Sequence, residues 1–402
     1  MRQQIPILLF SPYTQHLTGG PRVFLNLVER LDQSIFKPIC VFHKESEVSQ
    51  RCGDRGFETV VVPFPAILDI YNEGIFAYSG RDKLRSLKAL LDYNTEIKQV
   101  GLRYGVRAIW GRNVKSVLLI GLAAHQLQAA LIWDIGMEKE SRGLVRLFHW
   151  LGFALASAVV TEAPSQAATI FDPVLLRLFQ RKLVTIAPGI DLDRVAQLVQ
   201  PQPTDIGQPT FTILSVGTIS PRKNQLMLLM ALQGLMPAFP QIRLKFVGPI
   251  ADEDYGKTCQ RFAQVIGQGD RVQFLGWRDD IPELMRNSDL FVLCSTNEGI
   301  PYAIHEAMHA GLPIIATAVG GVPDALEHGK TGFLVAKNDI LDLQRWIEYC
   351  LLHPDQRRSL GANARQAARA KFSITEWSAQ YNQLFARLCQ IQPSFDVLSH
   401  YP

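Results

Sequence analysis

Leu290-Phe-Val-Leu-Cys-Ser-Thr-Asn-Glu298-Gly-Ile-Pro-Tyr-Ala-Ile-His-Glu306-Ala-Met-His-Ala-Gly311 holds three local structures in succession. An apolar run ends at Cys294, a polar loop with Gly299 follows, and Pro301 stands where a helix can begin. An Ala/Met-rich stretch at helical spacing then runs to Gly311. Strand, turn and helix form the repeating joint of a parallel α/β sheet, and its loop lies at the carboxyl end of the strand, where such sheets bind ligands. The helix start at Gly299, Ile300, Pro301 and Tyr302 offers unpaired N–H groups and a positive dipole end to an anion. Glu298 and Glu306 would by themselves repel a phosphate, whereas sugar hydroxyls are suitable donors to a pair of carboxylates. The stretch therefore fits a ligand with both phosphate and sugar parts.

The complementary positive charge stands upstream in Ile213-Leu-Ser-Val-Gly-Thr-Ile-Ser-Pro-Arg222-Lys223-Asn-Gln, where another apolar strand ends in Gly217 and Arg222-Lys223 open the next helix. A cation pair at a strand end can neutralise a diphosphate and stabilise it as a leaving group. Further outward the same alternation repeats. Ile5–Phe10, Pro38–Phe42, Thr59–Val62, Ala108–Trp110, Ala130–Trp133, Ala158–Thr161 and Leu183–Ala187 read as strands of a first parallel unit. Phe211–Val216, Arg243–Val247, Val272–Leu275, Leu290–Cys294, Pro313–Ala316 and Gly332–Val335 read as those of a second. Between them 197–209, rich in Pro and Gln, suits a linker. The length of 402 residues agrees, since one core stops growing well below it.

Composition narrows the class. With 47% apolar and 19% charged residues the chain is an ordinary globular protein, which excludes a disordered or fibrous one. A net charge of +4 is too small to establish nucleic-acid binding, and none is expected. The charge is uneven: residues 1–195 hold 23 Lys/Arg against 18 Asp/Glu. Nine basic residues (Arg81, Lys83, Arg85, Lys88, Lys98, Arg103, Arg107, Arg112, Lys115) face three acidic ones between Ala77 and Lys115. That stretch, 81–115, reads either as solvated helix faces or as a peripheral contact with an anionic membrane. Six scattered cysteines without a Cys-x-x-Cys pair suggest a reducing, metal-free protein. The N-terminus shows no signal-peptide pattern, so the expected compartment is the cytoplasm, with the inner membrane face as its peripheral variant. Leu147–Val160 is too short for a membrane span and reads as a buried helix.

These motifs carry a resemblance. Glu298, seven residues and Glu306, embedded in Glu-Gly-Ile-Pro-Tyr-Ala-Ile-His-Glu-Ala-Met-His-Ala-Gly-Leu-Pro, look like the Glu-x7-Glu signature of family 4 glycosyltransferases, retaining enzymes of group 1. Val216–Asn224 resembles the family's donor-diphosphate loop. Phe246–Gly248, Phe274–Trp277, Val319–Asp324 and His328–Val335 follow in the family's order. Thr18-Gly19-Gly20-Pro21-Arg22 resembles its glycine-rich loop, and Ala187–Asp191 its turn before the linker. The resemblance implies the GT-B fold: an N-terminal Rossmann-like acceptor domain (1–196), a linker (197–209), a C-terminal Rossmann-like donor domain (210–372), and a helix crossing back to the first domain (373–402). It implies a UDP- or GDP-sugar donor, a glycan, lipid-linked or small-molecule acceptor in polysaccharide or glycoconjugate synthesis, and no required cofactor or metal. By resemblance Arg222 and Lys223 bind the diphosphate and Glu298 the donor sugar, and these three form the catalytic set. Glu306 would hold the ribose, backbone at Gly299, Ile300, Pro301 and Tyr302 would assist, and Gly20 would admit the N-terminal loop.

Two positions depart from the pattern. Thr218 stands where many relatives have Arg, so diphosphate binding would rest on Arg222 and Lys223. Trp133-Asp134 stands where many have His-Asp. The same motifs leave two alternatives: a non-catalytic subunit that binds sugar nucleotide or glycan, and a related phosphorylase or epimerase. A dehydrogenase is disfavoured because no complete Gly-x-Gly-x-x-Gly follows a strand.

Overall fold

The computed structural model describes residues 4–12, 19–68, 80–136, 138, 140–189, 210–267, 270–299 and 301–390. The expected linker 197–209, Ile300, Thr18 and the tail after residue 390 lie outside them. The chain divides into two compact units: Met1–Glu162, Ala167–Ile186 and Trp377–Pro402 form unit 1, and Ala163–Gln166 with Ala187–Glu376 form unit 2.

Unit 1 is built on β1 (Ile5–Ser11), β2 (Phe36–Phe42), β3 (Glu58–Val61), β4 (Ala108–Arg112), β5 (Ala130–Asp134), β6 (Ala158–Thr161) and β7 (Leu183–Thr185). They form one parallel sheet in the order β3-β2-β1-β4-β5-β6-β7. The central strands are continuous apolar runs because helices cover both faces of such a sheet, and Ile7–Phe10 are fully buried. The helices are α1 (Gly19–Arg30), α2 (Glu47–Asp54), α3 (Gly80–Tyr104), α4 (Asn113–Gln126), α5 (Gly143–Leu155), α6 (Pro164–Ile170) and α7 (Pro173–Phe179). Helix α4 lies between α3 and α5 and packs on both. Local signals set the boundaries: Ser46 and Ser49 form a capping box on α2, and Asp172 caps α7 with Pro173 following.

Leu147–Val160 is not one buried helix. Helix α5 ends at Leu155, the last residues of the run enter β6, and Leu147 and Leu151 are solvent-exposed. An apolar run reports hydrophobicity and leaves open whether a neighbour covers it.

Unit 2 repeats the plan with β8 (Phe211–Val216), β9 (Ile242–Val247), β10 (Val272–Phe274), β11 (Leu290–Leu293), β12 (Ile314–Thr317) and β13 (Phe333–Val335), parallel in the order β10-β9-β8-β11-β12-β13. Its helices are α8 (Gln225–Leu235), α9 (Glu253–Gly267), α10 (Ile281–Arg286), α11 (Tyr302–Ala310), α12 (Val322–Ala325), α13 (Ile340–Leu352) and α14 (Pro354–Lys371). The strand order reverses between β8 and β11, and such a switch point opens a crevice at the carboxyl edge.

The last helix among the described residues, α15 (Ile374–Leu388), belongs to unit 1 from Trp377 onward. Trp377, Tyr381, Leu384 and Phe385 bury one face there, and Phe385 packs 5.9 Å from Phe36. Asn382 fixes its register, accepting from the Asp32 N–H at 2.9 Å and donating to the Arg30 carbonyl at 3.2 Å. In the other direction, Ala163–Gln166, read from the sequence as part of the first domain, belongs to unit 2, where Ala163 joins the core under β11 and β12.

Candidate active site

At the switch point of unit 2 the chain leaves β8 at Gly217 and turns through Ser220–Asn224 into α8. Lys223 and Asn224 both donate their N–H groups to the Ser220 carbonyl, and Asn224 adopts the left-handed conformation that starts the helix. The turn is tied to the loop after β11: the Arg222 carbonyl accepts from the Thr296 N–H at 2.8 Å and from its hydroxyl at 3.2 Å. These bonds bring Arg222 and Lys223 onto Glu298. Arg222 Nη1 lies 2.9 Å and Lys223 Nζ 2.5 Å from the same oxygen, Glu298 Oε1. Arg222 also donates to the Asn297 carbonyl at 3.1 Å.

The carboxylate is 6% exposed. Burial alone would raise its pKa, but the Lys223 and Arg222 charges outweigh that and hold it below the usual range, so Glu298 is ionised. Two cations share one anion, leaving an excess positive charge at the sheet edge. A bound diphosphate would meet that excess.

The loop is held from behind as well. Gly320 has φ +54, and a Cβ there would lie 1.6 Å from the Glu298 carbonyl oxygen, so only glycine allows the approach. The Gly321 N–H donates to the Gly299 carbonyl at 3.1 Å. On the far side of that glycine pair the Ser165 hydroxyl donates to the Gly320 carbonyl at 2.9 Å and to the Asp324 carboxylate at the start of α12. Ser165 was not singled out from the sequence, and Asp324 was named only as the end of the Val319–Asp324 motif. Pro164-Ser165 after a strand end is a helix-start signal, but its partners stand about 155 positions away in the chain.

Of the other expected residues, Pro301 caps α11, Tyr302 opens it, and Glu306 is half-buried on its second turn. Gly20 lies in the first turn of α1, in unit 1. His305 and His309 are buried on α11. Burial pushes the pKa of His305 down to about 3 and that of His309 to about 4, with His309, and Arg365 and Arg369, adding repulsion respectively. His305 stacks on Phe372 at 4.0 Å. Both are neutral packing groups near neutral pH.

Unit 1 has its own charged cluster at the carboxyl edge, which sequence reading passed over. Arg112 ends β4 and bridges Asp134 at the end of β5 (2.9 Å) and Glu162 just after β6 (2.7 Å). Asp134 also accepts from Trp110 Nε1 at 3.2 Å and from the Tyr381 hydroxyl on α15. Burial pushes its pKa up, against Arg112, Tyr381 and Trp110. Glu138 takes the Val114 N–H at 2.6 Å and Trp133 Nε1 at 3.3 Å, and burial raises its pKa to about 7. Trp133 itself is fully buried against His149, Phe153 and Phe171. The signal was present in the sequence: three adjacent apolar strands each end in a charged residue, Arg112, Asp134 and Glu162.

Two parallel Rossmann-like sheets in one chain define the GT-B class, and solved structures agree on the fold. A glycosyltransferase from Rickettsia africae superposes with TM-score 0.79 at 17% identity, covering 97% of this chain and all of that one. HepE of Anabaena, solved with UDP and glucose, gives 0.75 at 20% identity over 95% of this chain and all of that one. Residues 198–367, most of unit 2, match the family described as glycosyl transferases group 1. Among curated proteins, N-acetyl-alpha-D-glucosaminyl L-malate synthase of Bacillus anthracis is 34% identical over 116 residues, 29% of this chain and 30% of that protein. An Escherichia coli UDP-Gal:alpha-D-GlcNAc-diphosphoundecaprenol alpha-1,3-galactosyltransferase is 30% identical over 166 residues, 40% of this chain and 42% of that protein. The chain matches about a third to a half of the length of these curated relatives.

Proposed function

We propose that this chain is a retaining family 4 glycosyltransferase that moves a sugar from a UDP- or GDP-sugar to an acceptor hydroxyl. The observation that carries the reading is the pair Arg222 and Lys223 held on the buried carboxylate of Glu298 at the switch point of unit 2, beside the start of α11. A diphosphate entering there takes up the unbalanced positive charge, and the same cations stabilise it as it departs. Glu298 keeps lone pairs for a donor-sugar hydroxyl while it fixes both cations. Glu306 receives the ribose hydroxyls, and the backbone from Gly299 to Tyr302 assists. Unit 2 thus binds the donor and unit 1 selects the acceptor, without a metal. Solved neighbours in complex with UDP and with UDP-glucose support a uridine donor. Relatives whose names give acceptors as different as malate, inositol phosphate and a diphosphoundecaprenol-linked sugar leave the acceptor open. The compartment in this reading is the cytoplasm, and a peripheral contact with anionic membrane belongs to it.

Calorimetric titration of the purified chain with UDP and GDP, followed by hydrolysis assays with the matching nucleotide sugars, tests the reading. Lys223→Ala is expected to weaken nucleotide binding by roughly 30- to 100-fold, the equivalent of about 2–3 kcal/mol for a charge-assisted contact. Glu306→Ala should lower turnover as well. Binding without any turnover in the presence of acceptors would favour a non-catalytic subunit. Turnover unchanged in both variants would remove the site assignment.

A further inference from the structure

Three helices of unit 1 present leucines to solvent where a core-facing helix would present polar groups. On α3, Leu84 (70% exposed), Leu87 and Leu91 follow at helical spacing, with exposed Leu102 on the same line. On α5, Leu144 (57% exposed), Leu147 and Leu151 repeat the spacing. Between them, the outward ridge of α4 is Val114, Leu118 and Leu122, each half-buried. The helices are close neighbours: a Cβ on Gly121 of α4 would lie 2.7 Å from Leu155 of α5, and one on Gly101 of α3 would overlap Leu127, just after α4. The leucines thus share one layer on one side of the sheet. An apolar face spread over three adjacent helices exceeds the scattered exposed leucines of an ordinary surface.

Its border is basic. In a parallel α/β unit these crossover helices all begin at the carboxyl edge of the sheet, so their first turns lie along one rim. There α3 contributes Arg81, with Arg85 and Lys88 one and two turns further along, α4 contributes Lys115, and α5 has Arg142 at its N-cap and Arg146 in its first turn. The acids among them are fewer: Asp82 lies 3.6 Å from Arg85, Glu140 2.7 Å from Arg142, and Asp172 3.3 Å from Arg146. The basic stretch 81–115 does not act as a whole. Its Arg112 is spent in the bridges to Asp134 and Glu162, and Arg107 precedes β4 at the opposite edge.

We propose that the α3–α4–α5 face of unit 1 is a docking surface for an anionic lipid bilayer, with the leucines in the interfacial layer and the basic rim on the headgroups. The proposal deepens the membrane contact of the functional reading and is independent of its donor chemistry. A second copy of the chain fits the face less well, because pairing it with itself about a two-fold axis brings basic rims into the same interface. An anionic headgroup layer complements the rim, and the leucines have the amphipathic form of a surface-lying helix.

Co-sedimentation of the full chain with vesicles tests this, using phosphatidylcholine mixed with phosphatidylglycerol against phosphatidylcholine alone, at low and high salt. Binding to the anionic vesicles is expected, falling about tenfold or more with salt. The charge variant Arg81→Glu/Arg85→Glu and the apolar variant Leu84→Ser/Leu147→Ser should each weaken it to a similar degree. Both alter exposed side chains, and their thermal unfolding and UDP titration should match the wild type, which separates this result from failure of the donor site. The single variant Leu87→Ser provides a milder check. Absent binding, or binding indifferent to salt and to both variants, overturns the proposal. So does a concentration-dependent dimer, seen by light scattering and lost in Leu84→Ser/Leu147→Ser, without vesicle binding.

Discussion

The two units share a plan, and at the carboxyl edge of each sheet a compact set of charged side chains is buried, yet the two sets are balanced in opposite ways. In unit 2 two cations, Arg222 and Lys223, converge on one carboxylate, and Arg222 keeps a third of its side chain in solvent. In unit 1 one cation, Arg112, serves Asp134 and Glu162, Glu138 lies close by, and Trp110 and Tyr381 seal the group. In the proposed function, the spare positive charge at the sheet edge of unit 2 receives the donor's diphosphate. A site whose charges are matched by aromatic donors, one of them on α15, is closed, and its work is to hold β4, β5, β6 and α15 together.

The largest expected effects break each set at its centre. Arg112→Met removes the cation shared by the buried Asp134 and the half-buried Glu162, and unfolding free energy should fall by about 3–5 kcal/mol. Glu298→Gln strands Lys223, of which 10% of the side chain is exposed, and should cost about 3 kcal/mol. The two losses should respond differently to UDP. In Glu298→Gln the diphosphate replaces the missing anion, so UDP should raise the melting temperature of this variant more than that of the wild type. In Arg112→Met it should raise it no more than in the wild type. Equal UDP shifts in all three proteins would abolish the distinction between an open and a closed set.

A smaller effect separates the units by pH. Glu138 in unit 1 has its folded pKa raised to about 7, so its contribution is present below its unfolded value and is lost as pH rises through 7. Glu138→Gln should therefore gain stability relative to wild type at pH 8, by about 1–2 kcal/mol, and little at pH 5. His305 and His309 in unit 2 have folded values lowered to about 3 and about 4, so the unfolded chain binds more protons below its ordinary value. Their contribution is present near neutrality and is lost as pH falls from about 6.5 toward 4. His149, lowered by burial to about 4, adds the same slope in unit 1. Denaturant titrations across pH 4–8 give the comparison: the Glu138→Gln advantage should grow with pH while the overall stability falls on the acid side.

What was legible in the sequence follows the same physics. Strands covered on both faces are continuous apolar runs, so Leu290–Cys294 anticipated β11 to within one residue and Phe211–Val216 gave β8 at both ends. Arg222, Lys223 and Glu298 could be brought together because each follows a strand beside the switch point, where topology alone makes distant loops neighbours. The closed set of unit 1 was missed although Arg112, Asp134 and Glu162 also end adjacent strands, because a single charge after a strand looks the same whether it meets solvent or a partner. The leucines of α5 were misread for the converse reason, since periodicity records an apolar face and leaves its cover unspecified.

Ser165 gives the finest contrast, because it belongs by sequence to the first half and by contact to unit 2. Its hydroxyl holds the Gly320 carbonyl and Asp324, and Gly320 in turn lies against the backbone of Glu298. It touches none of the reacting groups in the proposed mechanism, so its part is to position the loop that carries Glu298. Ser165→Ala should cost about 1 kcal/mol of stability, the usual net value of one hydrogen bond. Because the loop relaxes, donor KM should rise a few-fold with kcat changed less, and Ser165→Thr, which restores the hydroxyl, should recover most of the loss. A purely structural role would lower stability in Ser165→Ala and leave KM at the wild-type value. That outcome would confine the open set of unit 2 to the loops after β8 and β11.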